Sequence, residues 1–213
     1  MNQPKRVHQP RRRNGNTAEF GPALLILFLF AIFPLINLLG LGTGEATVYL
    51  LAQEAANHTS QANNYSDALA SMQSIANQFM GTGFAAFAKL VPMGGYNSCG
   101  ANLWVQQTAV ASQQATMYGP NQGVNNPIDA NANIYEYSVH ARYQCGPLIN
   151  LSAVPLIGSV PGLGPPATLM VCVNRAVEFP DGLIASGGAA GGGGAGGGGG
   201  PANPISGGPN QSF

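Results

Sequence analysis

The sequence predicts an α+β fold, in which a long N-terminal helix packs on a small antiparallel β-sheet and a disordered glycine-rich tail follows. Three observations favour this fold. An uncharged apolar run occupies residues 20–41, and beyond it apolar side chains recur at helical spacing as far as residue 79. Three later segments are rich in β-branched and aromatic residues, which is typical of strands.

Residues 1–14 are basic, and we expect them to form a cytoplasmic leader. They hold five of the eight Lys and Arg residues of the chain: Lys5, Arg6, Arg11, Arg12 and Arg13. A basic segment directly before an apolar run stays on the cytoplasmic side, so the rest of the chain should be exported. The remaining sequence offers no basic face and no aromatic platform, so we expect no nucleic-acid partner.

Residues 15–44 are predicted to form a single transmembrane helix in the cytoplasmic (inner) membrane. The apolar run is long enough to cross the hydrocarbon core, which needs about 20 residues. Pro22 falls in the first turns, where its missing N–H matters little, whereas Pro34 should kink or loosen the helix. A secretory signal peptide cut after Ala46 is an alternative, although its apolar core would be shorter, about 7–15 residues.

Beyond the membrane the helix is expected to continue, giving one nearly continuous helix from about residue 18 to residue 79. Gly81 and Gly83 are predicted to end it. The residues of its apolar stripe are Val48, Leu51, Ala55, Ala62, Tyr65, Leu69, Met72, Ala76 and Phe79. Their steps are mostly three and four, so they share one face, which we expect to lie on a globular body.

Residues 45–185 are predicted to form an extracytoplasmic α+β domain, with strands at 103–111, 133–144 and 167–179. The second strand alternates between its two faces. One face carries Ile134, Glu136, Ser138, His140 and Arg142, and the other carries Tyr135, Tyr137, Val139, Ala141 and Tyr143. Residues 186–213 form the predicted tail, because residues 187–200 are eleven Gly and three Ala and bury too little surface to become ordered.

The three cysteines allow one disulfide in an exported domain. If the three strands form a meander, the residue just before the first strand lies near the end of the second. Cys99 and Cys145 are therefore the candidate pair, and Cys172, in the middle of a strand, is expected to be a small buried residue. The alternative is that all three are packing residues. Their spacing is not that of metal ligands, and we expect neither a metal nor a cofactor.

Ser138 and His140 share a strand face, so an exported hydrolase built around His140 is another alternative. No nucleophile elbow, oxyanion glycine pattern or orienting acid at a recognisable spacing accompanies them. We therefore expect no enzyme activity and no small-molecule substrate.

The N-terminal motif resembles that of a known family. Basic residues, a small-residue step and Glu19-Phe20 at the mouth of an apolar helix, RRRNGNTAEFGPALLILFLF, are similar to the start of TadE-like proteins. These are pseudopilins of the tight-adherence (Flp/Tad) pilus. The helix TVYLLAQEAANHTSQ resembles the Ala-rich continuation of that family, and ATLMVCVNRAVEFPDGL resembles its closing strand with a short R-x-V-E run. The resemblance covers residues 11–60 and, more loosely, 134–180.

The resemblance implies that a prepilin peptidase cuts the leader and that the freed helix joins other pilin-like subunits on an assembly platform. A cut between Asn14 and Gly15 makes Glu19 the fifth residue of the mature chain, as in the family, whereas a cut between Gly15 and Asn16 makes it the fourth. In lipid, the new N-terminal ammonium would pair with Glu19 of a neighbouring helix and set the register between subunits. The alternative is a membrane-anchored extracytoplasmic binding module that no peptidase processes.

Overall fold

A computed structural model describes residues 17–184 of the protein, with side chains from residue 20 onward. Within these residues the predicted α+β fold is confirmed, since a long N-terminal helix packs on an antiparallel β-sheet. The leader, the candidate processing residues Asn14, Gly15 and Asn16, and the tail at 186–213 lie outside the described residues.

The N-terminal helix consists of α1 (Thr17–Leu27), a π-helical turn (Phe28–Ile32) and α2 (Phe33–Ser60). In the wider turn the N–H of Phe33 bonds to the carbonyl of Phe28, five residues back. Pro34 follows directly; it has no N–H, and in a regular α-helix its ring would crowd the carbonyl four residues earlier. The π-helical turn therefore accommodates Pro34, and the expected loosening of the helix near this proline is confirmed.

The expectation of one continuous helix to residue 79 is wrong, because α2 ends at Ser60 and a separate α3 (Tyr65–Met80) follows. The side-chain hydroxyl of Ser60 donates to the carbonyl of Asn57 at 2.8 Å, within the last turn of α2. Asn64 then caps α3, and its Oδ1 accepts the N–H of Asp67 at 2.8 Å. This side-chain capping competes with continuation of the helix and starts a new one.

α3 runs back along α2, so the two helices form a hairpin. Phe84, which lies in α4 (Gly83–Phe87) just after α3, lines the same surface hollow as Thr43 of α2. Gly81 caps the C-terminus of α3 as predicted, whereas Gly83 begins α4. The predicted apolar stripe is nevertheless buried except for the partly buried Phe79, because both helices turn it toward the same core.

The sheet has five antiparallel strands: β1 (Leu90–Pro92), β2 (Ala101–Ala109), β3 (Ala115–Tyr118), β4 (Asn133–Cys145) and β5 (Ala167–Ala176). β4 lies at the centre, with β5 along one edge and β2 followed by β1 along the other. β3 pairs with the free edge of β2. The three predicted strands thus form a meander, and β1 and β3 are additions that the sequence pattern did not predict.

One face of the sheet carries the core, and the predicted alternation along β4 is confirmed. Its five inward residues, Tyr135, Tyr137, Val139, Ala141 and Tyr143, are all buried against the helical hairpin. The ring centroids of Tyr137 and Tyr65 of α3 are 6.2 Å apart. The opposite, outer face of the sheet is more open, although Ser138 on that face is also buried.

The structure does not form the candidate Cys99–Cys145 disulfide, since all three cysteines are free thiols. Ala101 pairs with Ala141, so the chain just before β2 meets β4 at Tyr143, whose hydroxyl donates to the carbonyl of Cys99 at 2.6 Å. Cys145 lies further along β4, and its thiol donates to a carbonyl of the segment before β1. In this register Cys99 lies at the level of Tyr143. Cys145 is two residues further along β4, so the two thiols are not opposite each other.

Cys172 is exposed, which corrects the expectation that it is buried. It pairs with His140 across the β4–β5 ladder, and this position places it on the outer face of the sheet. Period-two alternation along β5 puts its neighbour Val173 on the buried face instead.

Candidate functional site: the apolar helix and the loop that clasps it

The N-terminal half of the long helix projects its apolar side chains outward. Glu19 and Phe20 lie in the first turns of α1, and Phe20 is 67% exposed. The other large apolar side chains exposed before residue 40 are Leu24, Leu25, Ile26, Leu27, Phe28, Phe30, Leu35, Leu38 and Leu39. The helix Phe20–Ser60 is long and apolar enough to cross a membrane, and only 11% of its most apolar window is buried, unlike the core helix of a soluble protein.

A second face of the helix is buried from Asn37 onward. Asn37, Gly40, Gly44, Thr47 and Val48 follow one another at steps of three, four, three and one, and all are buried in the described body. Full burial of helix residues by the folded body therefore begins at Asn37. The residues that meet Asn37 and Gly40 belong to the loop at 146–166 between β4 and β5, which we call the clasp loop.

Asn37 is the main polar contact between the helix and the clasp loop. Its Nδ2 donates to the carbonyls of Ile149, at 2.7 Å, and Leu163, at 3.3 Å. Its Oδ1 accepts the N–H of Ile149 at 2.8 Å. The side chain is 1% exposed, and both its nitrogen and its oxygen are hydrogen-bonded to the loop. It acts as a buried bridge that holds both ends of the clasp loop to one turn of α2.

Two glycines let the body approach the helix closely. A Cβ placed on Gly40 would lie 2.9 Å from Leu148 of the clasp loop. A Cβ placed on Gly44 would lie 3.0 Å from the Sγ of Cys145 and 3.3 Å from the Cβ of Ala88. Small residues spaced four apart allow backbones to come together, as they do between membrane helices.

Lys89 fixes the base of the clasp loop. Its ammonium group donates to the carbonyls of Pro147, at 2.8 Å, and Leu148, at 3.3 Å. The side chain is exposed, so the charge stays in contact with the solvent while its bonds hold the first residues of the loop. Among the described residues before β4, it is the one Lys or Arg.

The end of β5 fastens the C-terminal half of α2. Arg175 donates from Nε to the side-chain oxygen of Asn57 at 2.9 Å and from Nη2 to that of Gln53 at 3.1 Å. Three residues later, the N–H of Glu178 donates to the carbonyl of Ser60 at 3.0 Å. The R-x-V-E run noted in the sequence therefore lies along the last two turns of α2 and contributes to the junction between helix and sheet.

The outer face of the sheet carries a second group of polar side chains. The rings of Trp104 and His140 are 5.6 Å apart, and they line a shallow hollow of about 300 Å³ together with Arg142 and Cys172. Burial lowers the pKa of His140, so the imidazole is held more strongly in its neutral form.

Ser138 lies beside this hollow but below its surface. Its Oγ is 3.0 Å from Nε2 of His140 and 2.7 Å from Oδ1 of Asn174. The residue is only 1% exposed, so its hydroxyl group is engaged in the sheet and is not open to a substrate.

The sequence interpretation missed the residues that position the helix on the body. Asn37 is one amide within an apolar run, and the sequence pattern does not show what it binds; the partners of Lys89 lie nearly sixty residues away. One signal was present. Asn37, Gly40 and Gly44 lie at steps of three and four and so share one helical face. A polar side chain and two glycines on one face of an otherwise apolar helix indicate that this face packs against protein.

Comparison with known proteins finds no matching family model, no matching curated protein and no matching solved structure. The resemblance to TadE-like proteins therefore rests on the residues of this sequence alone.

Proposed function

We propose that the protein is a structural, non-catalytic subunit: a minor pseudopilin or assembly factor of a tight-adherence (Flp/Tad) type pilus, anchored in the cytoplasmic membrane by its N-terminal helix. A prepilin peptidase removes the basic leader, and the freed helix packs with the helices of other pilin-like subunits. The sheet domain lies outside the cytoplasmic membrane.

One observation carries this proposal. The apolar helix emerges from the body with its side chains exposed on most of its surface, it has no charge between Glu19 and Glu45, and an acid stands at its first turn. A plain anchor gains nothing from an acid between its arginines and its apolar segment. A subunit of a helical bundle does gain, because a carboxylate in lipid needs a cationic partner, and a new N-terminal ammonium on a neighbouring helix is one.

The test compares two acids on the same helix. Glu19→Ala should leave the protein in the membrane fraction but absent from assembled filaments, whereas Glu45→Ala, which removes an exposed carboxylate beyond the apolar run, should be incorporated normally. The intact mass of the mature protein should correspond to a start at Gly15 or Asn16. Normal incorporation of the Glu19 variant, or functional fibres built from a chain that keeps its arginines, would contradict the proposal.

A second candidate function is a membrane-anchored binding module that is not processed. The hollow beside Trp104, His140 and Arg142 favours it, because an aromatic ring next to a cation and an imidazole offers both stacking and hydrogen bonds to a ligand. A mature chain that begins at Met1 would favour this candidate. So would a loss of adhesion caused by Trp104→Ala with filament assembly unchanged.

A further inference from the structure

We propose that the tip of the clasp loop, residues 150–161, lies in the lipid interface on the extracytoplasmic side of the membrane, as a second contact with the bilayer beside the helix. The inference rests on one part of the proposed function, which is that the apolar helix spans the membrane. The occupant of this surface is the boundary between the headgroups and the acyl chains of the phospholipids.

The loop advances along α2 toward the membrane. Cys145, at the end of β4, lies at the level of Gly44, Leu148 lies at the level of Gly40, and Ile149 bonds to Asn37. These contacts descend seven residues of helix, or about 10 Å at ~1.5 Å per residue. The returning chain meets the same level, since the carbonyl of Leu163 also bonds to Asn37. The residues between these two anchor points therefore leave the helix and return to it at the level of Asn37.

The level of Asn37 is also the outer edge of the lipid core. Asn37 follows Phe20 by 17 residues, which is a rise of about 26 Å, and the hydrocarbon core is about 30 Å thick. With Phe20 at the inner boundary, the outer boundary falls near residues 37–40. A loop held at Asn37 then cannot avoid the interfacial layer.

The chemistry of the loop suits that layer. No charged residue occurs between Arg142 and Arg175. Leu156 is 89% exposed and Val160 is 41% exposed, whereas water-facing turns are usually polar. Leu156 also has a φ of +73°, a conformation that a bulky side chain rarely adopts, and the described body offers its side chain almost no packing in return. Lipid contact at the tip would supply the missing burial.

The backbone of the loop is also prepared for a layer poor in water. Several of its N–H groups are bonded within the loop or to α2: Ile149 to Asn37, Leu151 to Leu163, Val154 to Leu151, Gly158 to Val154, Val160 to Ile157, Gly162 to Pro165 and Leu163 to Val160. Five further residues of the loop are prolines, which have no N–H to satisfy. Irregular backbone is tolerated at membrane depth only when its polar groups are met in this way.

The experiment measures the depth of single fluorophores in the full-length protein. With the exposed thiol removed by Cys172→Ser, an environment-sensitive dye is attached at Leu156→Cys, or at Val110→Cys as the matched control. Val110 is an exposed apolar residue directly after β2, and its N–H bonds to Ala132 just before β4, at the end of the sheet away from Cys145. A dye at Leu25→Cys reports on the helix itself. The proteins are reconstituted into vesicles of phosphatidylethanolamine and phosphatidylglycerol, with and without lipid carrying a nitroxide high on the acyl chain.

The nitroxide lipid should quench the dye at position 156 several-fold more strongly than the dye at position 110, with a blue-shifted emission. Equal, weak quenching at positions 156 and 110 while the dye at position 25 is quenched would overturn the inference and leave the proposed function standing. A dye at position 25 that stays in water would overturn the membrane span, and with it both proposals.

Discussion

The replacement Asn37→Leu separates two views of the apolar helix. Leucine has nearly the shape of asparagine and is more apolar, so for a side chain facing lipid the change would favour membrane insertion. The structure predicts a loss of stability instead. The variant leaves the N–H and carbonyl of Ile149 without their partners and removes a longer bond to Leu163. An unsatisfied buried group costs about 1–3 kcal/mol, so we expect the free energy of unfolding to fall by about 2–4 kcal/mol.

The assay is urea unfolding of the full-length protein in detergent micelles, followed by the fluorescence of Trp104, the single tryptophan. Limited proteolysis should also cut the clasp loop faster in the variant. The control is Leu38→Asn, which places an amide on the neighbouring exposed position and should change the unfolding midpoint little. An Asn37→Leu variant as stable as the unmodified protein would refute the role of this amide in holding the loop.

Three other measurements follow from the structure. Replacing Gly by Ala within a helix normally stabilises a protein by about 1 kcal/mol. In urea unfolding we expect this gain for Gly42→Ala, because nothing lies within 4 Å of the added Cβ. For Gly44→Ala we expect a net loss of about 1 kcal/mol, because the added Cβ would press on the buried thiol of Cys145. A maleimide should label only Cys172 in the native protein, since Cys99 and Cys145 are buried and burial raises the pKa of both thiols. After unfolding without reductant it should label all three cysteines. A single label after unfolding would reveal a disulfide. Burial lowers the pKa of His140, so the stability that this group contributes is complete above its unfolded pKa of about 6.5 and falls as the pH drops below it. His140→Gln should flatten that part of the plot of unfolding free energy against pH. An unchanged plot would contradict the role of His140.

Local patterns predicted the elements well where one principle decided the outcome. The period-two alternation along β4 determined which side chains face the core, and Tyr137 and Val139 are buried as expected. The apolar stripe of the helix was also correct, but the stripe alone could not distinguish one helix from a hairpin. Both arrangements bury the same residues, and the capping pattern at Asn64 and Asp67 was the signal that distinguishes them.

The features that the sequence did not predict depend on long-range register. Whether Cys99 meets Cys145 depends on how β2 aligns with β4, and a two-residue offset is enough to bring Cys99 to the level of Tyr143 instead. The bond from Asn37 to Ile149 joins residues 112 positions apart, across a loop whose path no periodicity describes. Such contacts form only in the assembled fold. The sequence contains both partners, but no local pattern indicates that they meet.

The manner in which the body holds α2 has a mechanical consequence. β4 and β5 run beside the helix, with Cys145 near Gly44 at one end and Glu178 bonded to Ser60 at the other, and the clasp loop extends this seam to Asn37. A pull along the helix axis therefore loads the whole seam at once, in shear, and does not peel its bonds apart one after another. A force applied to one end of the helix is therefore transmitted to the sheet before the contacts between helix and sheet break.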